Sequence, residues 1–307
     1  MDIKNKKLII DTDIGDDIDD AYAITYLYEN IKDNIIGITT VFKNSIERAK
    51  IAKNLLHSFN FNTKVYAGCS NPIKEPIKFL SFESKSLTPH IKQYLPYMSN
   101  EKYDGDNAID FILESINKYG DDLIILAIGP LTNIANAYLK DKDTFNKLGK
   151  LIIMGGTFDS EYAEWNFRCD PEAAKVVLES KVDTYFVGHD LTKLSEIPID
   201  YLNKLKSFNN PGIKKLMELS DIYESCYNYK RLPIMHDPLC SSILFGDFVE
   251  FKDRNIFIET EPPKRAITTF PSNGKLCHVG IKANYEQFFK HLMNTFEKIE
   301  KGGTSNV

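Results

Sequence analysis

The sequence predicts an α/β fold built on an open, mostly parallel β-sheet with helices on both faces. Three observations predict it. Short runs of Ile, Leu and Val, bounded by Gly, Pro or Asp, have the length and continuity of strands buried on both sides. Segments with helical spacing of apolar residues lie between most of these runs. Strand and helix alternate along the chain, and right-handed crossovers turn that alternation into a parallel sheet.

In chain order, residues 7–11 (KLIID) read as the first strand and 20–29 as the first helix, followed by a strand at 35–41 (IIGITTV) and a helix at 45–60. The stretch 68–106 carries Pro72, Pro76, Pro89 and Pro96 among many Ser and Lys residues, and reads as a loop-rich insertion near one edge of the sheet. A helix at 107–118, a strand at 123–128 (LIILAI) and a helix at 131–139 come next. Further strands are expected at 151–154 and 182–187, with a helix at 171–179 between them. Residues 199–230 look helical, 247–270 look like a strand-rich return, and 284–300 form a closing helix. No internal repeat or linker interrupts the pattern, so residues 1–307 are expected to form one domain.

Composition narrows the function classes. Apolar residues make up 43% of the chain, enough for a substantial core. A net charge of -5, with Lys and Arg scattered along the chain, gives no general attraction to nucleic acid or anionic lipid. The first apolar run stops at Asp11 after three residues, too short for a signal peptide, and no 18-residue apolar stretch suggests a membrane span. The five cysteines are far apart and form no C-x-x-C pair. They read as reduced thiols of a cytoplasmic protein.

The segment Asp11-Thr12-Asp13-Ile14-Gly15-Asp16-Asp17-Ile18-Asp19-Asp20 places six carboxylates within ten residues at the end of the first expected strand. Acids favour the first turn of a helix, where they complement its dipole. That accounts for two or three of them, but not for Asp11 and Asp13 at a strand end. Two unit charges about 4 Å apart repel by roughly 4 kcal/mol at an effective dielectric of about 20. A cation is therefore expected there, and oxygen-only ligation suits Ca²⁺ or Mg²⁺, with Ca²⁺ tolerating more protein ligands. An EF-hand is excluded, because Gly15 falls one place early and a strand precedes the loop.

This segment resembles the amino-terminal signature of the inosine-uridine-preferring nucleoside hydrolase family, D-x-D-P-G-x-D-D-A. Ile14 stands where the signature has Pro, and alignment on Asp19-Asp20-Ala21 leaves two extra residues after Gly15. The resemblance implies a Rossmann-like nucleoside hydrolase fold and hydrolysis of the N-glycosidic bond of ribonucleosides to ribose and free base, in nucleobase salvage. It implies Ca²⁺ held by Asp13, Asp20, Asp237 and the backbone carbonyl of Ile128, and Asp13 as the base that takes a proton from water. Asp19 would hold the ribose diol, with Asp16 and Asp17 as alternatives in the lengthened loop, and Asn44, after Thr40, would join it.

Three later segments fit the same resemblance. Gly129-Pro130-Leu131-Thr132-Asn133 is by itself a good turn and helix start, and in the family the carbonyl before Gly-Pro is a metal ligand. Glu164 and Asn166 in Ala163-Glu164-Trp165-Asn166-Phe167 are similar to family residues on the 5′ and 3′ hydroxyls, while Asp170-Pro171 reads as a helix cap. His236-Asp237-Pro238 opens an expected helix and is similar to the family's carboxy-terminal site, where Asp closes the metal shell and His faces the leaving base. Tyr223, Tyr227 and Tyr229 read either as a stacking wall over the base or as core, so Tyr227 is a candidate substrate contact. A purine-like or modified base, of the kind found in queuosine, is one option for the substrate. Two other readings stand beside this one: a non-catalytic, metal-dependent ribose binder, and a phosphatase of the haloacid dehalogenase kind, which also begins with a strand and Asp-x-Asp. Family members are commonly dimers or tetramers, so a homo-oligomer is expected.

Overall fold

The computed structural model describes residues 3–74, 91–226 and 232–302. The first half alternates β1 (Lys7–Thr12), α1 (Asp19–Ile31), β2 (Ile35–Thr40), α2 (Ser45–Ser58), β3 (Val65–Ala67), α3 (Ala108–Tyr119), β4 (Leu123–Ala127) and α4 (Thr132–Lys140). There follow α5 (Lys142–Phe145), β5 (Lys150–Met154), α6 (Trp165–Cys169), α7 (Pro171–Val177), β6 (Asp183–Val187), α8 (His189–Thr192), α9 (Ile199–Lys206), α10 (Pro211–Ser225) and α11 (His236–Ser242). The chain closes with β7 (Val249–Ile258), β8 (Thr268–Thr269), β9 (Lys275–Ala283) and α12 (Tyr285–Glu300).

The strands form one mostly parallel sheet in the order β3-β2-β1-β4-β5-β6-β9-β7-β8. Only the β9–β7 and β7–β8 pairs run antiparallel among the described residues. Period-two alternation divides each central strand between two cores. Leu8, Ile10, Ile124, Leu126 and Ile152 face one core with α1, α11 and α12, whereas Ile9, Leu123, Ile125, Leu151 and Ile153 face the other with α4 and α7. Burial on both faces explains why these strands are continuous apolar runs in the sequence.

Helix starts follow local chemistry. Asn44, Asp170, Asn210 and Asn284 cap α2, α7, α10 and α12 by accepting backbone N–H bonds, and Pro171 and Pro211 occupy first helical positions where no N–H is needed. The expected helix at 199–230 is broken in two at Asn209-Asn210-Pro211, where Asn210 caps a new start. Two strands escaped the sequence reading. β3 has only three residues, and β9 pairs parallel with β6 and antiparallel with β7, so the return at the carboxyl end is a hairpin built into the sheet. Within 68–106, Gly105 bridges Tyr66 and its carbonyl accepts from Ala67 N at 2.8 Å, which binds this stretch to the β3 edge.

The strand order reverses between β1 and β4. Chain crossovers leave to opposite sides there and open a crevice at the carboxyl ends of the strands. The loops after β1, β4 and β5, together with the start of α11, meet at this crevice.

Candidate active site

A cleft of about 480 Å³ lies at the crevice, lined by Asp13, Asp16, Asp17, Asp19, Asp20, Ile128, Glu164, Asn166, His236 and Asp237 together with Lys43, Lys92, Met154, Tyr162, Trp165, Arg168 and His189. The four segments singled out in the sequence therefore converge on one space, joined by Lys43, Lys92 and His189. Asn44 is not in this lining; its side chain accepts from Glu47 N at 3.2 Å as the cap of α2, and Lys43 faces the cleft in its stead. Tyr223 is buried in the core. Tyr227 and Tyr229 lie outside the described residues.

The floor is acidic and buried. Asp19, Asp20 and Asp237 bring carboxylate oxygens within 4.8 Å of one another, an arrangement able to hold a metal ion. Asp13 stands against the loop after β4: a Cβ on Gly129 would lie 2.9 Å from Asp13 Oδ1. Only a glycine lets that loop and the carboxylate approach so closely. The trio with the closest oxygens thus includes Asp19 rather than Asp13, which sits beside it near Ile128.

Electrostatics sort these acids. Burial first, then repulsion from neighbouring carboxylates, holds the Asp19 and Asp237 carboxyls well above the ordinary range. Asp20 is raised by burial and by Asp13, although the Thr12 hydroxyl donates to it. Burial pushes Asp13 up to about 6 against the opposing pull of Arg48. Crowded buried carboxyls of this kind suit a divalent cation, which would offset both the burial and the mutual repulsion.

Asp16 has a different fate. Its Oδ2 accepts from Lys43 Nζ at 2.7 Å and Arg48 Nη2 at 2.8 Å, and these two cations outweigh burial to hold its pKa below the usual value. Arg48 is fully buried and also donates to the carbonyls of Phe42 at 2.8 Å, Ile14 at 2.9 Å and Asp13. One guanidinium thus ties the β1–α1 loop to the β2–α2 loop. Phe42 and Lys43 take left-handed φ values of 72° and 55°, a strained turn for residues with side chains that is held by Arg48 Nε donating to Phe42 O and Phe42 N donating to Cys69 O at 2.7 Å. Gly15, at φ 123°, leaves no room for a side chain, since a Cβ there would sit 2.4 Å from Ile91. Gln93 braces the same loop, donating through its backbone N to Gly15 O at 2.9 Å and through its side chain to Asp17 O at 2.6 Å.

Behind the floor, Asp11 accepts from the Thr39 hydroxyl at 2.5 Å and Asn133 Nδ2 at 2.7 Å, locking β1, β2 and α4 together; burial still raises its pKa to about 7. On the β5 side, Glu164 caps α6 and accepts from Asn166 N at 2.9 Å, Gly156 N at 3.0 Å and Phe167 N at 3.1 Å. Burial lifts it to about 7 against these bonds. Asn166 Nδ2 donates to the carbonyls of Met154 at 3.1 Å and Ile128 at 3.2 Å, so its Oδ1 is left for a ligand. His236 Nδ1 is held by Thr192 Oγ1 at 2.7 Å.

The family model described as inosine-uridine preferring nucleoside hydrolase matches residues 8–290, from the first strand into the last helix. The chain belongs to the inosine-uridine preferring nucleoside hydrolase family. It is 31% identical over 271 residues to uridine nucleosidase 1 of Arabidopsis thaliana, covering 84% of this chain and 80% of that protein. It is 25% identical over 314 residues to the inosine-uridine preferring nucleoside hydrolase of Crithidia fasciculata, covering 96% and 98%. In fold it is similar to the purine-preferring ribonucleoside hydrolase from Gardnerella vaginalis, with a TM-score of 0.82 at 24% identity over 96% of this chain and 99% of that one. Family membership leaves the phosphatase reading without support. Among the described residues no helix is long and apolar enough to cross a membrane.

Sequence reasoning missed Lys43, Arg48 and His189 in this nucleoside hydrolase. Arg48 gave no signal, because on a helical pattern it reads as one more solvated charge. His189 did carry one: it follows Gly188 at the carboxyl end of a strand, where ligands bind in such sheets.

Proposed function

We propose that the protein uses water to cut the N-glycosidic bond of ribonucleosides, releasing ribose and free base for nucleobase salvage. The observation that carries this reading is the buried trio Asp19, Asp20 and Asp237, set beneath a cleft onto which Glu164, Asn166 and His236 also converge. In this reading Asp13, Asp20, Asp237 and the Ile128 carbonyl hold Ca²⁺, chosen for the all-oxygen, carboxylate-rich donor set. When bound, the cation lowers the pKa of water and anchors vicinal hydroxyls.

The protein's own groups do the rest. Asp13, with its pKa near 6 before any cation binds, accepts the proton of the attacking water. Asp19 accepts from the sugar diol, with Asp17 at the rim of the same cleft and Asn44 at the loop end beside it. Glu164 and Asn166 Oδ1 accept from the remaining hydroxyls, and the carboxylates stabilise positive charge that develops on the sugar ring. His236, oriented through Nδ1 by Thr192, turns its other nitrogen to the departing base. A non-catalytic ribose binder would use the same contacts without turnover.

A reducing-sugar assay over a panel of ribonucleosides and 2′-deoxyribonucleosides, with calcium or with chelator, tests the proposal. Calcium-dependent release of ribose, much faster than release of deoxyribose, is the expected result; tight nucleoside binding without release would establish the binder instead. The five free cysteines suit a reducing cytoplasm. A homo-oligomer, dimer or tetramer, and a single domain spanning 1–307 complete the proposal.

A further inference from the structure

One wall of the cleft is a column of three aromatic rings. His189 and His236 stack with centroids 5.7 Å apart and planes 18° from parallel, and Tyr162 continues the column on His189 at 5.0 Å and 32°. All three residues line the cleft. The column is fixed at its base, since the His189 backbone N donates to Gly156 O at 2.9 Å and Thr192 holds His236.

Packed against the rings of both Tyr162 and His236, His189 also lines the cleft, and its two ring nitrogens lie on its edge. Neither nitrogen has a hydrogen-bond partner among the described residues, although the side chain is half-buried. A half-buried imidazole lining a cleft without a protein partner is completed by water or by a ligand. The neighbouring floor says which. Asp237 and His236 are consecutive, so acid cluster and ring column meet at one backbone step, and a ribose held over the floor would bring its base toward the column.

We propose that His189 hydrogen-bonds the departing nucleobase and, beside His236, sets which bases are accepted. The inference rests on the hydrolase reading above. Burial, and then the charge of Lys193, keeps this imidazole below its ordinary pKa, so it offers one donor and one acceptor to a polar base edge. The ligand class is a heteroaromatic base whose ring nitrogens or carbonyls must be neutralised as the bond breaks, in contrast to a leaving group that departs readily as an anion.

The test compares His189→Phe, which keeps a ring against His236 and removes both nitrogens, with His189→Asn, which keeps hydrogen bonding without the ring. Each is assayed with calcium on inosine, uridine and p-nitrophenyl riboside, whose nitrophenolate departs without help. In His189→Phe, kcat on the two nucleosides falls roughly tenfold further than on the nitrophenyl riboside, the worth of about one hydrogen bond. The ratio of inosine to uridine turnover changes as well, and His189→Asn recovers part of the loss. An equal fall on all three substrates would make His189 a packing residue for His236, and no fall on any would remove it from the site; either overturns the proposal. A wild-type enzyme inert on all three would defeat the hydrolase reading itself, and this inference with it.

Discussion

The floor and the wall of the cleft are built in opposite ways. The floor carboxylates come from the loop after β1 and the starts of α1 and α11, are buried, and are braced by bonds from Thr12, Arg48 and the Asp237 backbone. The wall, with Tyr162, Trp165 and Lys92, belongs to loops and short helices, and these side chains stand exposed. Buried, braced helix starts behind a strand end suit bond cleavage, where a small displacement costs much of the rate. Loops suit base selection, which must differ between enzymes that cut the same bond. The comparison divides the site into a part that cuts and a part that chooses, and each part can be broken separately.

The largest effect is expected at the floor. Asp13→Ala removes the proposed base and a proposed ligand, and kcat should fall by roughly 10³-fold or more while the circular dichroism spectrum stays native. Turnover within tenfold of wild type would mean that the cutting part lies elsewhere.

A second effect separates the floor from the wall by stability. Asp11 and Glu164 have folded-state pKa values of about 7, and Asp13 of about 6, all raised by burial above the ordinary values of 3.8 and 4.5. Without a cation the folded state therefore binds more protons than the unfolded state between about pH 4 and 7. Stability that is present below pH 4 is lost as pH rises through that window, by about 1.4 kcal/mol for each unit by which a group is raised. In chelator, Tm should be higher at pH 5 than at pH 8. Added calcium should raise Tm more at pH 8, where protons no longer compete for the carboxylates. A chelated protein as stable at pH 8 as at pH 5, and indifferent to calcium, would mean that the floor is not strained by its own charge.

The same division explains what could be read from the sequence. Buried strands announce themselves as apolar runs, and the acidic loop did so because six carboxylates without a neighbouring cation are physically costly. The sheet and its helices were legible for that reason, as was the convergence of Asp20 with Asp237, which family resemblance joined across more than two hundred residues. Length defeated β3, and β9 mixes Lys and His into its apolar positions because one side of the return faces solvent. Asp16 could not be told from its neighbours, since its partners Lys43 and Arg48 come from the β2–α2 turn and from α2 itself. The ring column was illegible for a similar reason: Tyr162, His189 and His236 belong to three segments, and stacking has no sequence period.

The smallest effect is expected at the outer end of that column. Tyr162 is 48% exposed, so a ring that touches it recovers only part of an aromatic contact, which is worth about 0.5–1.5 kcal/mol when fully formed. In the column Tyr162 packs on His189, whereas His236 adjoins the floor acid Asp237 in the chain. Tyr162→Ala should therefore raise KM for nucleosides by roughly threefold and leave kcat close to wild type. Weakened base binding with intact chemistry is what a choosing wall predicts. If kcat instead collapsed while KM held, Tyr162 would be acting on the transition state through His189 and His236, and the boundary between cutting and choosing would have to be drawn on the solvent side of the column.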